Sequence, residues 1–254
     1  MAALPATPPP APVPEPAPLS QVARIVDVFI APSKTFTDLR RSANWWAPFL
    51  LIAVVSLAFV YAVDKKVTFY KVAENQIQVS PKAAQRIDQM PADQRNQAIS
   101  QQGKITRYFS YGSPVLALIW YLIIAGVLLL TFKFGAGADL TFKFTLAVVV
   151  YAALPLAVRS ILATVTLWAG VAPDSFTFQN PLGSNPGFYL SPTDSPFLYN
   201  IASGLDVFMI WTLVLTAVGL SCVSKLKRST ALFGVFGWYV LMILVGAGIG
   251  ALFS

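Results

Sequence analysis

The chain has 254 residues, 56% of them hydrophobic and only 11% charged. Soluble domains carry about 25% charged residues, so this composition excludes an ordinary water-soluble globule and makes lipid the natural solvent for the apolar excess. The formal charge is +7 with no histidine, and the cations flank apolar segments instead of forming a basic run. That pattern suits an anionic membrane surface and not nucleic acid.

Residues 1–19 contain eight prolines, from Pro5 to Pro18. There is no basic start and no apolar run, so this is no secretory signal. The stretch reads as a disordered proline-rich tail with polyproline II character. Over 20–45 the pattern changes. Val22, Ile25, Val26 and Phe29 recur at helical spacing, with Arg24 and Asp27 off that stripe, which predicts an amphipathic helix. Pro32 is expected to stop it and Ser33 to cap a short second helix bearing Phe36 and Leu39. Arg40, Arg41, Trp45 and Trp46 follow, residues suited to anchoring at the headgroup level. The segment is expected to lie on the cytoplasmic interface.

The remainder, 46–254, predicts a bundle of five transmembrane helices, with spans at about 46–63, 112–132, 144–169, 204–223 and 231–253. Each is long enough, or nearly so, for the ~20 helical residues that cross a bilayer. A β-barrel would need short alternating segments, and these runs are continuous. The fold class expected is therefore all-α, with the N-terminal amphipathic helix and a helical extramembrane loop added to the bundle.

The loop at 64–111 is rich in glutamine and charge. Ser80-Pro81 opens a helix there, Pro91 breaks it and Gly103 weakens the next. The segment 170–203 holds turn signals instead, among them Asn180-Pro181 and Asn185-Pro186-Gly187, with Phe188-Tyr189-Leu190 between turns. A compact aromatic cap is expected. The short basic loops place the N-terminus in the cytoplasm and the C-terminus outside. The eight cations of 64–111, from Lys65 to Arg107, oppose that orientation.

Two charges fall inside spans, Arg159 and Asp206. An unpaired charge at mid-helix costs at least about 2.5 kcal/mol in a bilayer, so the two are expected to form an intramembrane ion pair. Pro155 predicts a kink one turn before Arg159. Gly246 and Gly250 form a small-xxx-small step suited to close helix packing. Cys222 reads as a small packing residue. No catalytic, cofactor-binding or metal-ligating set emerges: without histidine the common nucleophile–base pairs and H-E-x-x-H zinc sites are excluded, and no phosphate-binding glycine loop occurs. No cofactor is expected.

The opening Phe29-Ile30-Ala31-Pro32-Ser33-Lys34-Thr35-Phe36 with Trp45-Trp46-Ala47-Pro48 resembles the start of Yip-domain membrane proteins. Asn180-Pro181-Leu182-Gly183, Asn185-Pro186-Gly187, Leu205-Asp206-Val207-Phe208 and Ser221-Cys222-Val223 extend the likeness, which looks like the bacterial branch and runs from about residue 22 to the end. The resemblance implies a small helical bundle with a cytoplasmic N-terminus and brings no catalytic residues. The function expected is that of a non-enzymatic scaffold, membrane-organising in a trafficking-like way or partner-binding, in a multi-pass protein of the bacterial cytoplasmic membrane. Its partners would be the lipid bilayer, proteins met through the N-terminal arm, and other copies of itself in a homo-oligomer. A transporter or channel subunit is the alternative.

Overall fold

The computed structural model describes residues 17–170, 174 and 176–253. The proline-rich tail therefore lies outside the described residues except for 17–19. The described residues form helices and loops without a strand. In chain order the helices are α1 (Gln21–Ile30), α2 (Pro32–Asp38), α3 (Trp46–Lys66), α4 (Phe69–Gln78), α5 (Pro81–Asp88), α6 (Ala92–Tyr111), α7 (Ser113–Ala136), α8 (Phe142–Ala152), α9 (Leu154–Trp168), α10 (Pro196–Gly204), α11 (Val207–Val223) and α12 (Arg228–Phe253).

Four stretches are long and apolar enough to cross a membrane: Trp46–Lys66, Ser113–Ala136, Phe142–Trp168 and Arg228–Gly250. The fourth expected span differs. α11 has 17 residues, about 26 Å at the helical rise, and α10 meets it at a 51° bend. The bundle thus has five spans if this bent pair counts as one. The break falls at Leu205-Asp206, where Asp206 starts a new helix instead of continuing the old one.

Phe142–Trp168 is the central helix. Its α8 half is buried from Thr145 to Ala152, and one apolar core gathers α8, α7, α11 and the two N-terminal helices around it. Pro155 sits in the first turn of α9, just after the break at Ala153, because a proline there lacks the N–H that would continue the α8 ladder. By contrast, α7 and α12 are largely uncovered by protein, as lipid-facing helices should be.

The 64–111 segment folds into a lobe of three helices. Ser80 and Pro81 start α5 as read from the sequence, and Pro91 starts α6. α6 runs unbroken through Gly103. This glycine is buried, and a Cβ there would sit 2.8 Å from the Phe69 carbonyl oxygen, so glycine permits the close crossing of α4 on α6. Asn75 Nδ2 donates to the Phe176 carbonyl at 2.9 Å. Lys71 Nζ lies 2.7 Å from Asp174, and the rings of Phe69 and Phe178 stack at 6.2 Å. These contacts put the lobe and the 176–206 segment on one side of the bundle, here the lobe side.

Several lobe cations are paired: Lys71 with Glu74 as well as Asp174, Arg95 with Asp88, Arg107 with Asp64. Hydrogen bonds to Asp174 and Glu74 push the Lys71 ammonium well above its ordinary range. Lys66 stacks 4.0 Å over the Trp168 ring, joining the ends of α3 and α9. The opposite side, here the arm side, carries α2 and the turn between α11 and α12, where Arg228 Nη2 donates to Ser33 Oγ at 3.2 Å.

Candidate functional site

The N-terminal arm packs differently from the amphipathic pattern. Arg24 and Asp27, expected on the outer face, are buried, whereas Val22, Val26 and Ile30 are 72%, 51% and 74% exposed. The reason is a neutralised pair. Arg24 Nε donates to Asp38 Oδ2 at 2.7 Å and Nη1 donates to the Ser42 carbonyl at 2.8 Å. Thr35 Oγ1 donates back to the Arg24 carbonyl at 3.1 Å. A buried charge is tolerable only when paired and hydrogen-bonded, and Arg24 is both. Pro32 starts α2 at its first turn, with Ala31 as the cap residue and no capping side chain. Ser33 is therefore free to accept from Arg228. Phe36 is fully buried, against Gly219 of α11, whose missing Cβ would sit 2.9 Å from the ring. Arg40 and Arg41 are exposed, Trp45 is half-buried against Phe49, and Trp46 is exposed.

The second cluster lies at the break between α10 and α11. Arg159 Nε is 3.3 Å from Asp206 Oδ2, so the structure brings the two intramembrane charges together. Their contact is ionic and not a hydrogen bond, since Arg159 Nε is buried without a hydrogen-bond partner. Nη2 donates to the Gln179 carbonyl at 3.3 Å. Asp206 has stronger engagements. Its Oδ1 accepts from the backbone N–H groups of Phe208 and Met209 at 3.0 and 3.1 Å, which is N-capping of α11. Its Oδ2 accepts a hydrogen bond from Ser184 Oγ. Val207 N–H donates to the Ser184 carbonyl at 3.0 Å, so the 180–187 segment and the start of α11 clasp each other.

Asn180 is the hub of that segment. Its Nδ2 donates to Tyr199 at 2.8 Å and to Ser203 at 3.0 Å, and its Oδ1 accepts from Asn185 at 2.9 Å. Asn185 Oδ1 then accepts from the Phe188 N–H at 3.0 Å. Gly187 packs directly on Ser203 backbone, closer than any Cβ would allow. Tyr239 of α12 donates to the Gly204 carbonyl at 2.7 Å, taking up an acceptor freed by the break. Irregular backbone between membrane helices is tolerated where protein satisfies it, and here asparagines, serines and tyrosines do so.

The Asn-Pro turns were legible as turns, but their role as internal ligands of Ser203, Tyr199 and Phe188 was not. The helix-start pattern at Asp206, an Asx residue before an apolar run, was the available signal for the cap. Gly246 and Gly250 do not act as one packing step within this chain. Gly250 meets Asn200 of α10, whereas a Cβ at Gly246 would have nothing within 4 Å; the close approaches of α12 lie at Gly234, against Phe132, and at Gly250. Cys222 is free and half-buried. Among the described residues no group of three or more His, Cys, Asp or Glu could hold a metal. A groove of about 230 Å³ lies on the lobe side, lined by Ser80, Gln179, Tyr199, Asn200 and Gly250 among others.

A family model, the Yip1 domain, matches residues 26–249. No curated protein and no solved structure matches the chain.

Proposed function

The chain belongs to the Yip1 domain family, is a multi-pass membrane protein, and from that premise we propose that it works without catalysis as a membrane-organising scaffold. The observation that carries this reading is the use of its polar groups. Asp206 caps α11, Asn180 and Asn185 bind neighbouring side chains and backbone, and Arg24 is matched by Asp38. Each is engaged in holding helices, which suits a rigid platform. We place it in the bacterial cytoplasmic membrane with its N-terminus inside and C-terminus outside. The paired lobe cations support that orientation, since Lys71, Arg95 and Arg107 carry their own counter-charges. Protein partners would be met through the N-terminal arm, and α12, uncovered along most of its length, would face other copies.

Crosslinking and pull-down from native membranes, with and without residues 1–44, tests the reading. Specific partners should be recovered with the full chain and lost with the truncated one, checked for folding by its elution profile. The transporter reading draws on one feature, the break between α10 and α11 beside Arg159, because broken helices build substrate sites in many transporters. Solute flux in proteoliposomes that Asp206→Asn abolishes, with no partner captured, would replace the scaffold by a carrier.

A further inference from the structure

The arm helix α1 is turned inside out for a water-facing helix. Val22, Val26 and Ile30 form one exposed aliphatic line at i, i+4 and i+8, while Arg24 and Asp27 face inward. That line is about 12 Å long at the helical rise. Its inward charges are neutralised, Arg24 by Asp38 and Asp27 by Lys34 at 2.8 Å. The height of α1 is fixed by its contacts. Gln21 Oε1 accepts from Tyr151, which is the tenth residue of the Phe142–Trp168 span. The Phe29 ring packs edge-on against Trp211 at 5.5 Å, in the second turn of α11. So α1 lies beside the spans and not beyond their ends.

The companion helix α2 shows a different face. Lys34 and Thr37 are exposed there, as is Arg40 in the turn that follows the helix. The Arg228–Ser33 contact brings up the α11–α12 turn, whose Lys225 and Lys227 are exposed as well. The acids of the arm, Asp27 and Asp38, are both buried in their ion pairs. The arm therefore has two tiers, an aliphatic one on α1 and a cationic one on α2 with the adjoining turn. Ser42, held by Arg24, leads within four residues to the exposed Trp46, so the aliphatic tier joins the lipid-facing start of α3.

We propose that α1 and α2 form a wedge inserted into one leaflet, with the Val22–Val26–Ile30 line among acyl chains and Arg40, Lys225 and Lys227 holding anionic phospholipid headgroups. The occupant is lipid because the aliphatic line runs at span height and the neighbouring charge is of one sign. Apolar burial and attraction to anionic headgroups are the two terms that seat an interfacial helix. The proposal requires membrane residence and not the scaffold role, so either can fail alone.

The test uses the full chain with Cys222→Ser, carrying a single cysteine at Val26 or at Thr37 labelled with an environment-sensitive fluorophore. Reconstitution is into phosphatidylcholine vesicles with or without phosphatidylglycerol. The Val26 probe should emit in the blue and be quenched by acyl-chain-brominated lipid, and the Thr37 probe should be quenched by aqueous iodide. Native mass spectrometry should then show the triple variant Arg40→Gln, Lys225→Gln, Lys227→Gln retaining phosphatidylglycerol over phosphatidylcholine at a ratio about twofold or more below the parent. Iodide quenching at Val26 equal to that at Thr37 overturns the wedge. Shielding of Val26 that vanishes on dilution of the protein in the bilayer also overturns it, in favour of a second copy. An unchanged lipid ratio overturns the headgroup assignment.

Discussion

Two of the arginine–aspartate pairs among the described residues, Arg24–Asp38 and Arg159–Asp206, are unlike each other. On the arm side Arg24 is 2% exposed and directs its guanidinium at Asp38 and the Ser42 carbonyl with bonds of 2.7 and 2.8 Å. On the lobe side Arg159 keeps 24% of its side chain exposed and reaches Asp206 only at 3.3 Å, through a nitrogen with no hydrogen bond. Asp38 is held chiefly by its arginine at 2.7 Å, with the Leu19 N–H donating to it at 3.3 Å. Asp206 depends on backbone N–H groups and Ser184. Two pairs of the same chemistry thus do different things: one joins two helices, the other starts a helix and has an arginine lying alongside.

The sharpest way to break this contrast is to remove a single charge from the arm. Arg24→Met or Asp38→Leu alone leaves its partner buried and unmatched, which costs about 3–5 kcal/mol. Extraction yield and the thermal midpoint in detergent should both fall steeply. The double variant Arg24→Met, Asp38→Leu should recover most of the loss, because an apolar pair of similar volume replaces a charged one. A double variant no better than the worse single would mean that Arg24 is needed for its Ser42 bond and not for Asp38.

Next in size is the seat of Phe36. A Cβ at Gly219 would lie 2.5 Å from Val148 and 2.9 Å from Phe36. Gly219→Val should therefore loosen α2 from α11 and lower stability by about 1–3 kcal/mol. Gly246→Val, on the uncovered flank of α12, is the matched control and should leave the midpoint in place. Hydrogen exchange would locate the damage: faster exchange in α1 and α2 for Gly219→Val, and none for the control.

Much of the architecture was written in runs of residues. The apolar stretches gave the spans, Pro91 and Pro155 marked breaks, and Ser80-Pro81 marked a start. What stayed hidden depended on partners distant in sequence. Helical periodicity put Arg24 on a solvent face, but Asp38 and Ser42 lie on other elements and turn it inward. Gly103 reads as a weak point until Phe69 crosses it. The fourth span reads as one helix because hydropathy is blind to a 51° bend. Asp206 was recognisable as an intramembrane charge and matched with Arg159, while its capping of α11 and its bond to Ser184 required the fold.

That last distinction sets the smallest predicted effects and the finest test of the comparison. Asp206→Ala removes the cap and the acceptor of Ser184, and should cost about 1–2 kcal/mol. Asp206→Asn retains an oxygen able to cap and should cost under about 1 kcal/mol, since asparagine and aspartate cap about equally well. Arg159→Met should cost least, about 0–1 kcal/mol, because a partly exposed ion pair contributes little and Asp206 keeps its other partners. Reversing both charges, Arg159→Asp with Asp206→Arg, should not restore the parent: an arginine at 206 offers no acceptor to the N–H groups of Phe208 and Met209. Thermal midpoints of these variants decide between cap and ion pair. If the double reversal stands well above the Asp206→Arg single, the pair governs this site after all, and the two arginine–aspartate pairs are of one kind.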